Sequence, residues 1–399
     1  MLSKNLIYIL DKINSFGFEA YLVGGAVRDI LLGKEPKDYD IATNAIPEEI
    51  QQIFTNSIPR GIKYGTVTVI RDNDFYDITT FRIDGNYSDK RRPEKVYYIN
   101  SLKEDLKRRD FTINAMALDK YDELYDFFGG QEDLKNKLVR TVGDPSLRFK
   151  EDELRKLRGI RFCCQLDFHL HCDTLKAIKF NPHSNSISYE RIRDEFDKII
   201  LSDNANKGLE MLIQTGMISY IIPEYKEHNY NFSNLFEDID RAKKNLTTRL
   251  ALFFLLIKKT ENIDNNKILK RLKYSNKIIK DVILLCKYDS IESGIHFKSI
   301  INDLGELMPI FLELFKIINK NNLEEINQLV KEYEYIIDNL IPVSRKDLAI
   351  NGKDLLILGY SGEEIGVIIE YVLEEVRKTP NINKKNKLLD LVQDYKRRS

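Results

Sequence analysis

Residues 21–43 read YLVGGAVRDILLGKEPKDYDIAT, and the fold class turns on how that stretch divides. Tyr21, Leu22 and Val23 form a short apolar run, Gly24 and Gly25 interrupt it, and apolar residues from Val27 to Leu32 resume at helical spacing. A glycine pair between strand and helix leaves out two Cβ atoms. Backbone N–H groups can then approach a ligand closely, and the helix start adds a dipole that favours phosphate. Arg28, one turn into the helix, can pair with the same phosphate oxygens. Asp38 and Asp40 follow on either side of Tyr39, in a run that reads as the next strand. Residues i and i+2 of a strand share a face, so the two carboxylates converge.

Working outward, residues 19–142 contain further β-rich runs at 64–70 (YGTVTVI), 75–83 (FYDITTFRI) and 95–100 (KVYYIN), with a turn around Asp72 to Asp74. Asp77 alternates with apolar neighbours in the second of these runs, which makes it the candidate third carboxylate on a neighbouring strand. Two strand-borne carboxylates plus triphosphate oxygens make a hard oxygen cage suited to Mg²⁺, and a two-metal site steadies an in-line displacement. From Asp144 onward, strand patterns nearly vanish. Apolar residues recur at helical spacing in segments such as 151–165, 188–201, 206–217, 248–259, 276–288 and 362–376. The fold class is therefore α+β: a small mixed-sheet head, antiparallel-leaning, with Asp38 and Asp40 on one strand, followed by helices only.

Composition agrees. The 399 residues carry 62 Lys+Arg against 62 Asp+Glu, so a globally basic coat is excluded and any anion-binding surface must be local. A hydrophobic share of 43% with 31% charged residues is that of a globular chain. Cys163, Cys164, Cys172 and Cys286 follow no metal-binding spacing and fit a reducing compartment. His169 and His171 beside Cys172 lack four-ligand spacing and read as surface histidines near core cysteines. The longest apolar run, Leu250 to Ile257, is far below the ~20 residues that span a bilayer. The expectation is a cytoplasmic protein with no membrane partner and no inferable protein partner.

Five motifs carry a resemblance. They are LVGGAVRDILLG with DYDIAT, KRRDFTINA at 107–115, EDELRKLR at 151–158 followed by Arg161 and Phe162, SYERIR at 188–193, and LAINGKDL at 348–355. Together they resemble the class II CCA-adding enzymes (tRNA nucleotidyltransferases) and the related bacterial poly(A) polymerases of the polymerase-β-like nucleotidyltransferase superfamily. The resemblance implies a head at 1–142, a nucleotide-selecting neck at 143–203, and a body at 204–335 and tail at 336–399 that bind tRNA. It implies Mg²⁺-dependent, template-independent addition of C, C and A from CTP and ATP to the tRNA 3′ end on the acceptor stem, with release of pyrophosphate. Asp38, Asp40 and Asp77 would be catalytic, with Asp38 and Asp40 holding metal. Gly24, Gly25, Arg28, Arg109, Asp152, Arg155, Arg158 and Arg161 would bind nucleotide, Asn114 could bond the ribose, and Arg108 reads as a surface charge. The alternatives are an enzyme adding only the final A, a poly(A) polymerase, or a non-catalytic RNA-binding protein on the same scaffold.

Residue chemistry supports the third motif. Asp152, Arg155, Arg158 and Arg161 recur every three residues, the spacing of one slanting ridge on a single helix. A carboxylate only accepts and a guanidinium only donates. Asp152 would take the amino hydrogens of cytosine or adenine while Arg155 donates to the adjacent ring nitrogen. Uracil and guanine offer a carbonyl there and would leave buried groups unpaired at roughly 1–3 kcal/mol each. The polar segment 84–93 resembles the family's flexible loop, and Asp89, Arg91 and Arg92 are the residues expected to help switch the pocket from C to A. Basic residues near the C-terminus, from Arg377 on, could meet an RNA backbone.

Overall fold

The computed structural model describes residues 2–59, 61–85, 96–180, 187–225, 235–258, 263–288, 291 and 294–398. The chain forms two compact units, residues 1–236 with 271–273, and residues 237–270 with 274–399.

The first unit is built on a seven-stranded sheet. In chain order its elements begin with α1 (Lys4–Ser15), β1 (Ala20–Val23), α2 (Gly25–Leu31), β2 (Tyr39–Thr43), α3 (Pro47–Ile53), β3 (Ser57–Ile58), β4 (Thr66–Arg71) and β5 (Asp74–Thr80). A separate two-stranded ribbon, β6 (Arg82–Asp84) and β7 (Val96–Tyr98), precedes α4 (Leu102–Lys107), β8 (Ala117–Leu118) and β9 (Leu124–Tyr125). The sheet order is β3-β4-β5-β2-β1-β8-β9. Within it only β2 and β5 run parallel; the other pairings are antiparallel, as the sequence led us to expect.

Local chemistry sets these elements. Ser3 caps α1 by accepting the Leu6 N–H at 3.3 Å, and Leu6, Ile9, Leu10 and Ile13 bury one helical face against the sheet core. Each such burial is worth about 1.5–3 kcal/mol. Asp72 and Asn73 both adopt positive φ, at 50° and 69°, and close the β4–β5 hairpin between the paired Arg71 and Asp74. That is the two-residue turn whose twist matches the flanking strands.

Helices take over after α5 (Gly130–Lys135), although β10 (Leu138–Val139) still pairs in parallel with β11 (His169–Leu170). The EDELRKLR segment departs from the single helix its spacing suggests. It divides into α6 (Pro145–Glu151) and α7 (Arg155–Leu166), with Asp152 between them in an extended conformation (φ −145°, ψ 105°). The cause is Asp152 itself. Its Oδ1 accepts the Leu154 N–H at 3.1 Å, a local side-chain bond that competes with the helical ladder. Then come α8 (Cys172–Phe180), α9 (Tyr189–Ile200) and α10 (Ala205–Gln214). Glycine at 208 lets α10 pack closely on α7 and α9, since a Cβ there would meet Ile199 Cγ2 at 2.7 Å.

Among its described residues, the second unit has helices as its regular elements, the α-helices running from Leu246–Lys258 to Lys385–Arg398. Its LAINGKDL segment opens the helix Gly352–Ile357 with a capping box, Asn351 accepting the Lys353 N–H and Asp354 accepting the Asn351 N–H, both at 2.9 Å. A separate core of Leu355, Ile368, Val372, Leu373, Val376 and Leu388 surrounds it. A cavity of about 290 Å³ in this unit is lined mainly by apolar residues, among them Leu255, Leu285, Phe311 and Leu314, with Lys258 and Asn319 at its wall and no carboxylate. No helix among the described residues is long and apolar enough to cross a membrane.

Candidate functional site

A cleft of about 550 Å³ in the first unit gathers most of the residues singled out in the sequence. Gly24, Gly25, Arg28, Asp38, Asp40, Arg109, Asp152, Arg155, Arg158 and Arg161 all line it, together with Arg108, Asp110, Asn114, Leu154, Phe162 and Arg191. Asp77 is not among the lining residues.

The glycine pair does what a strand-to-helix turn near charged groups requires. Gly24 has φ +76°, and a Cβ on it would lie 2.9 Å from Arg109 Nη1 and 3.7 Å from Asp40 Oδ2. Both a side chain and an L-residue's preferred backbone are excluded there. Arg28 is aimed by three bonds. Its Nε and Nη2 donate to Asp29 Oδ1 at 2.9 and 2.7 Å, and its Nη1 donates to Asn114 Oδ1 at 2.7 Å.

Asp40 lies on β2, whereas Asp38 immediately precedes that strand instead of sitting within it. In the parallel β2–β5 pair Asp40 is in register with Asp77, so the two share a face of the sheet. Asp77 Oδ1 accepts from Thr68 Oγ1 at 2.5 Å on the other side of β5. Burial pushes the Asp40 carboxyl above the usual carboxylate range; Arg109 opposes the shift, and Asp77 and Asp38 add to it. Like-charge pressure on an all-oxygen set is what a hard divalent cation relieves, so Asp38 and Asp40 suit Mg²⁺ chemically. By contrast, His171, Cys172 and Asp173 bring mixed ligand atoms within 4.8 Å of one another, at the start of α8 and not among the residues lining the cleft.

The KRRDFTINA motif lines the cleft beside the glycine turn, with Asn114 bonded to Arg28 at 2.7 Å. Arg108 is no free surface charge: its Nε and Nη2 pair with Asp105 Oδ1 at 3.0 and 2.9 Å, and Arg109 Nη2 approaches Asp105 Oδ2 at 3.5 Å. Burial alone would raise the Asp105 carboxyl, but Arg108 and Arg109 outweigh it and hold the carboxyl below its ordinary range. Asp110 is a heavily bonded carboxylate lining the cleft. It accepts from Phe111 N–H at 2.8 Å, Asn114 Nδ2 at 3.1 Å, and Arg158 Nε and Nη2 at 2.8 and 2.5 Å. Burial pushes its carboxyl up, and Arg158 and Asn114 outweigh that and hold it far below normal. Asn114 is therefore tied between Arg28 and Asp110.

The base-reading candidates are pre-arranged by the protein. Asp152 Oδ2 accepts from Arg191 Nη2 at 2.7 Å. Arg155 donates through Nη1 to Glu151 Oε2 at 2.6 Å and to the Arg148 carbonyl at 3.2 Å, and through Nη2 to the Arg108 carbonyl at 3.0 Å. Three of its five N–H groups are so used, and each Asp152 oxygen keeps a lone pair. Arg158 pairs bidentately with Asp110, while Arg161 Nε lies 2.8 Å from Glu195 Oε2. Sequence reasoning did not find the roles of Asp105, Asp110, Arg191 and Glu195. Arg191 lay within the SYERIR motif, and Asp110 within KRRDFTINA; Asp105 and Glu195 had no signal beyond their place in amphipathic helices. Asp89, Arg91 and Arg92 lie outside the described residues.

Residues 20–140 match the family described as "Poly A polymerase head domain", residues 167–228 that described as "Probable RNA and SrmB- binding site of polymerase A", and residues 244–392 that described as "tRNA nucleotidyltransferase domain 2 putative". The chain is 40% identical over 390 residues to the CCA-adding enzyme of Enterococcus faecalis, covering 93% of this chain and 92% of that protein. It is 40% identical over 380 residues to that of Ligilactobacillus salivarius, covering 94% and 91%. Its structure is similar to that of the Bacillus stearothermophilus CCA-adding enzyme solved in complex with CTP. The TM-score is 0.81 at 29% identity, over 98% of this chain and 97% of that one.

Proposed function

We infer the reaction from the family: the chain belongs to the CCA-adding enzymes, tRNA nucleotidyltransferases with a poly(A)-polymerase-type head. It is a nucleotidyltransferase that adds C, C and A to the 3′ end of tRNA from CTP and ATP, releasing pyrophosphate, with the order of bases set by the protein. The observation that carries this reading is the single cleft in which Asp40, the glycine pair and the Asp152–Arg155 pair face common space.

The geometry supports the following roles. Asp38 and Asp40 would hold Mg²⁺, with Asp77 adding negative potential from the adjoining strand. Bound there, the cation supplies charge stabilisation for displacement at the α-phosphate. The backbone at Gly24 and Gly25 admits the triphosphate, and Arg28 and Arg109 neutralise its oxygens. Asp152 accepts the amino hydrogens of cytosine or adenine, and Arg155 offers its remaining N–H groups to the ring nitrogen. The terminal ribose hydroxyl of tRNA attacks the α-phosphate, and pyrophosphate leaves. Arg158 acts through Asp110, joining the head to the selecting helix, and Arg161 acts through Glu195, joining the selecting helix to α9, while both lend positive potential. Residues 1–142 serve as head, 143–203 as neck, and 204–335 and 336–399 as body and tail that grip tRNA in the cytoplasm.

The test uses tRNA lacking CCA and tRNA ending in CC, each incubated with single NTPs and resolved nucleotide by nucleotide. Addition of CC from CTP and A from ATP is expected, and Asp40→Ala should abolish both while tRNA binding persists. Products confined to a final A would convert the reading to an A-adding enzyme, and runs of A to a poly(A) polymerase. Near wild-type addition by Asp40→Ala under saturating Mg²⁺ would remove the metal-site assignment.

A further inference from the structure

Three guanidiniums converge on one aromatic ring in the wall of the cleft. The Cζ atoms of Arg28, Arg158 and Arg161 lie 5.2, 5.5 and 4.2 Å from the centroid of the Phe162 ring. All three distances are within the range at which a cation is attracted by a ring's quadrupole. Phe162 is 5% exposed, and Phe111 fixes its ring in an edge-to-face contact at 5.7 Å and 82°. Arg28 comes from α2 and the other two from α7, so the ring joins cations contributed by the glycine turn and by the selecting helix.

Each guanidinium has a carboxylate partner, Asp29, Asp110 and Glu195 respectively. Three like charges gathered around one side chain still repel. Burial lowers the Arg161 pKa, and Arg158 and Arg28 depress it further against Glu195. A further carboxylate would relieve that repulsion by cancelling the positive field that a triphosphate needs. A π face attracts all three cations without adding a charge, whereas an aliphatic side chain of similar volume would leave the repulsion in place.

We propose that Phe162 is a positioning residue for the nucleotide: its ring holds Arg28, Arg158 and Arg161 in the arrangement that receives the triphosphate. This deepens the functional reading above and rests on it.

The test replaces Phe162, in the full chain, with mono-, di- and trifluorinated phenylalanine, which nearly conserve size while weakening the ring quadrupole stepwise. KM for CTP and for ATP should rise together along the series, by about threefold or more at the trifluoro residue. The KM for tRNA and the melting temperature should stay at wild-type values, and kcat should change little. A flat series in an enzyme that adds CCA normally would overturn the proposal and leave the functional reading standing. A rise in tRNA KM or a fall in melting temperature that tracks fluorination would reduce Phe162 to a packing residue, and so overturn it too. Failure of the unsubstituted enzyme to add any nucleotide would sink the functional reading, and this proposal with it.

Discussion

Asp152→Asn separates hydrogen-bond polarity from position. In the structure Asp152 Oδ1 accepts the Leu154 N–H at 3.1 Å, and Oδ2 accepts from Arg191 at 2.7 Å. Asparagine keeps the first bond, so the turn that starts α7 survives. The amide nitrogen replaces Oδ2 and presents donors to whatever the carboxylate faced. Cytosine's amino group then meets a donor and loses its acceptor, a penalty of about 1–3 kcal/mol. Uracil's carbonyl gains a donor worth about 0.5–1.5 kcal/mol. Preference for CTP over UTP should therefore fall by at least about tenfold, since ~1.4 kcal/mol is one decade. It should not invert fully, because uracil carries a hydrogen on the ring nitrogen that Arg155 still opposes. The assay is kcat/KM for all four NTPs on tRNA lacking CCA. Arg191→Gln serves as control: it frees the carboxylate without reversing its polarity, and should lower rate while leaving the C-over-U ratio within about threefold. A wild-type ratio in Asp152→Asn would refute the reasoning and move base selection elsewhere.

Two further outcomes are expected. Asp110→Asn removes the charge facing Arg158 and should cost about 2–3 kcal/mol of stability at pH 7, less than a fully buried pair because Arg158 remains partly exposed and lies 3.9 Å from Glu195. The folded-state carboxyl of Asp110 is held low, so its contribution is complete above the unfolded value of about 4 and is lost as pH falls below it. Denaturant unfolding of both proteins should thus show a constant gap from about pH 5 to 8 that narrows in acid, and a gap that widens in acid would contradict the ion-pair assignment. Gly24→Ala must place a Cβ 2.9 Å from Arg109 at φ +76°, and should lower kcat/KM for CTP and ATP alike by about tenfold or more. Loss for one nucleotide only would mean that the turn reads the base instead of admitting the phosphates.

What was legible in the sequence was what neighbouring residues decide together. The glycine pair, the positive-φ turn at Asp72 and Asn73, and the alternation around Asp77 each encode their geometry within a few positions, and the parallel register then brings Asp77 beside Asp40. The break at Asp152 was hidden because three-residue spacing continues across it; only a side chain turning back on its own backbone interrupts the helix. Arg158 likewise read as a free ligand because its partner Asp110 lies 48 residues away, and a long-range ion pair leaves no periodic trace.

Those hidden pairs explain how a chain of zero net charge gathers so many arginines in one cleft. Seven arginines line the cleft against four aspartates, an excess that water alone could not hold in fixed positions. Guanidiniums left unpaired at such density would repel, and partial burial would add a desolvation cost of several kcal/mol per ion. Asp29, Asp105, Glu151 and Glu195 meet this by pairing with Arg28, Arg108, Arg155 and Arg161. Each pairing uses some of an arginine's five N–H groups and fixes the direction of the rest. In the proposed function, the carboxylates would therefore not compete with the nucleotide for the arginines so much as orient them before it arrives. That is the form electrostatic preorganisation takes when the same field must both persist in the empty enzyme and act on a developing charge.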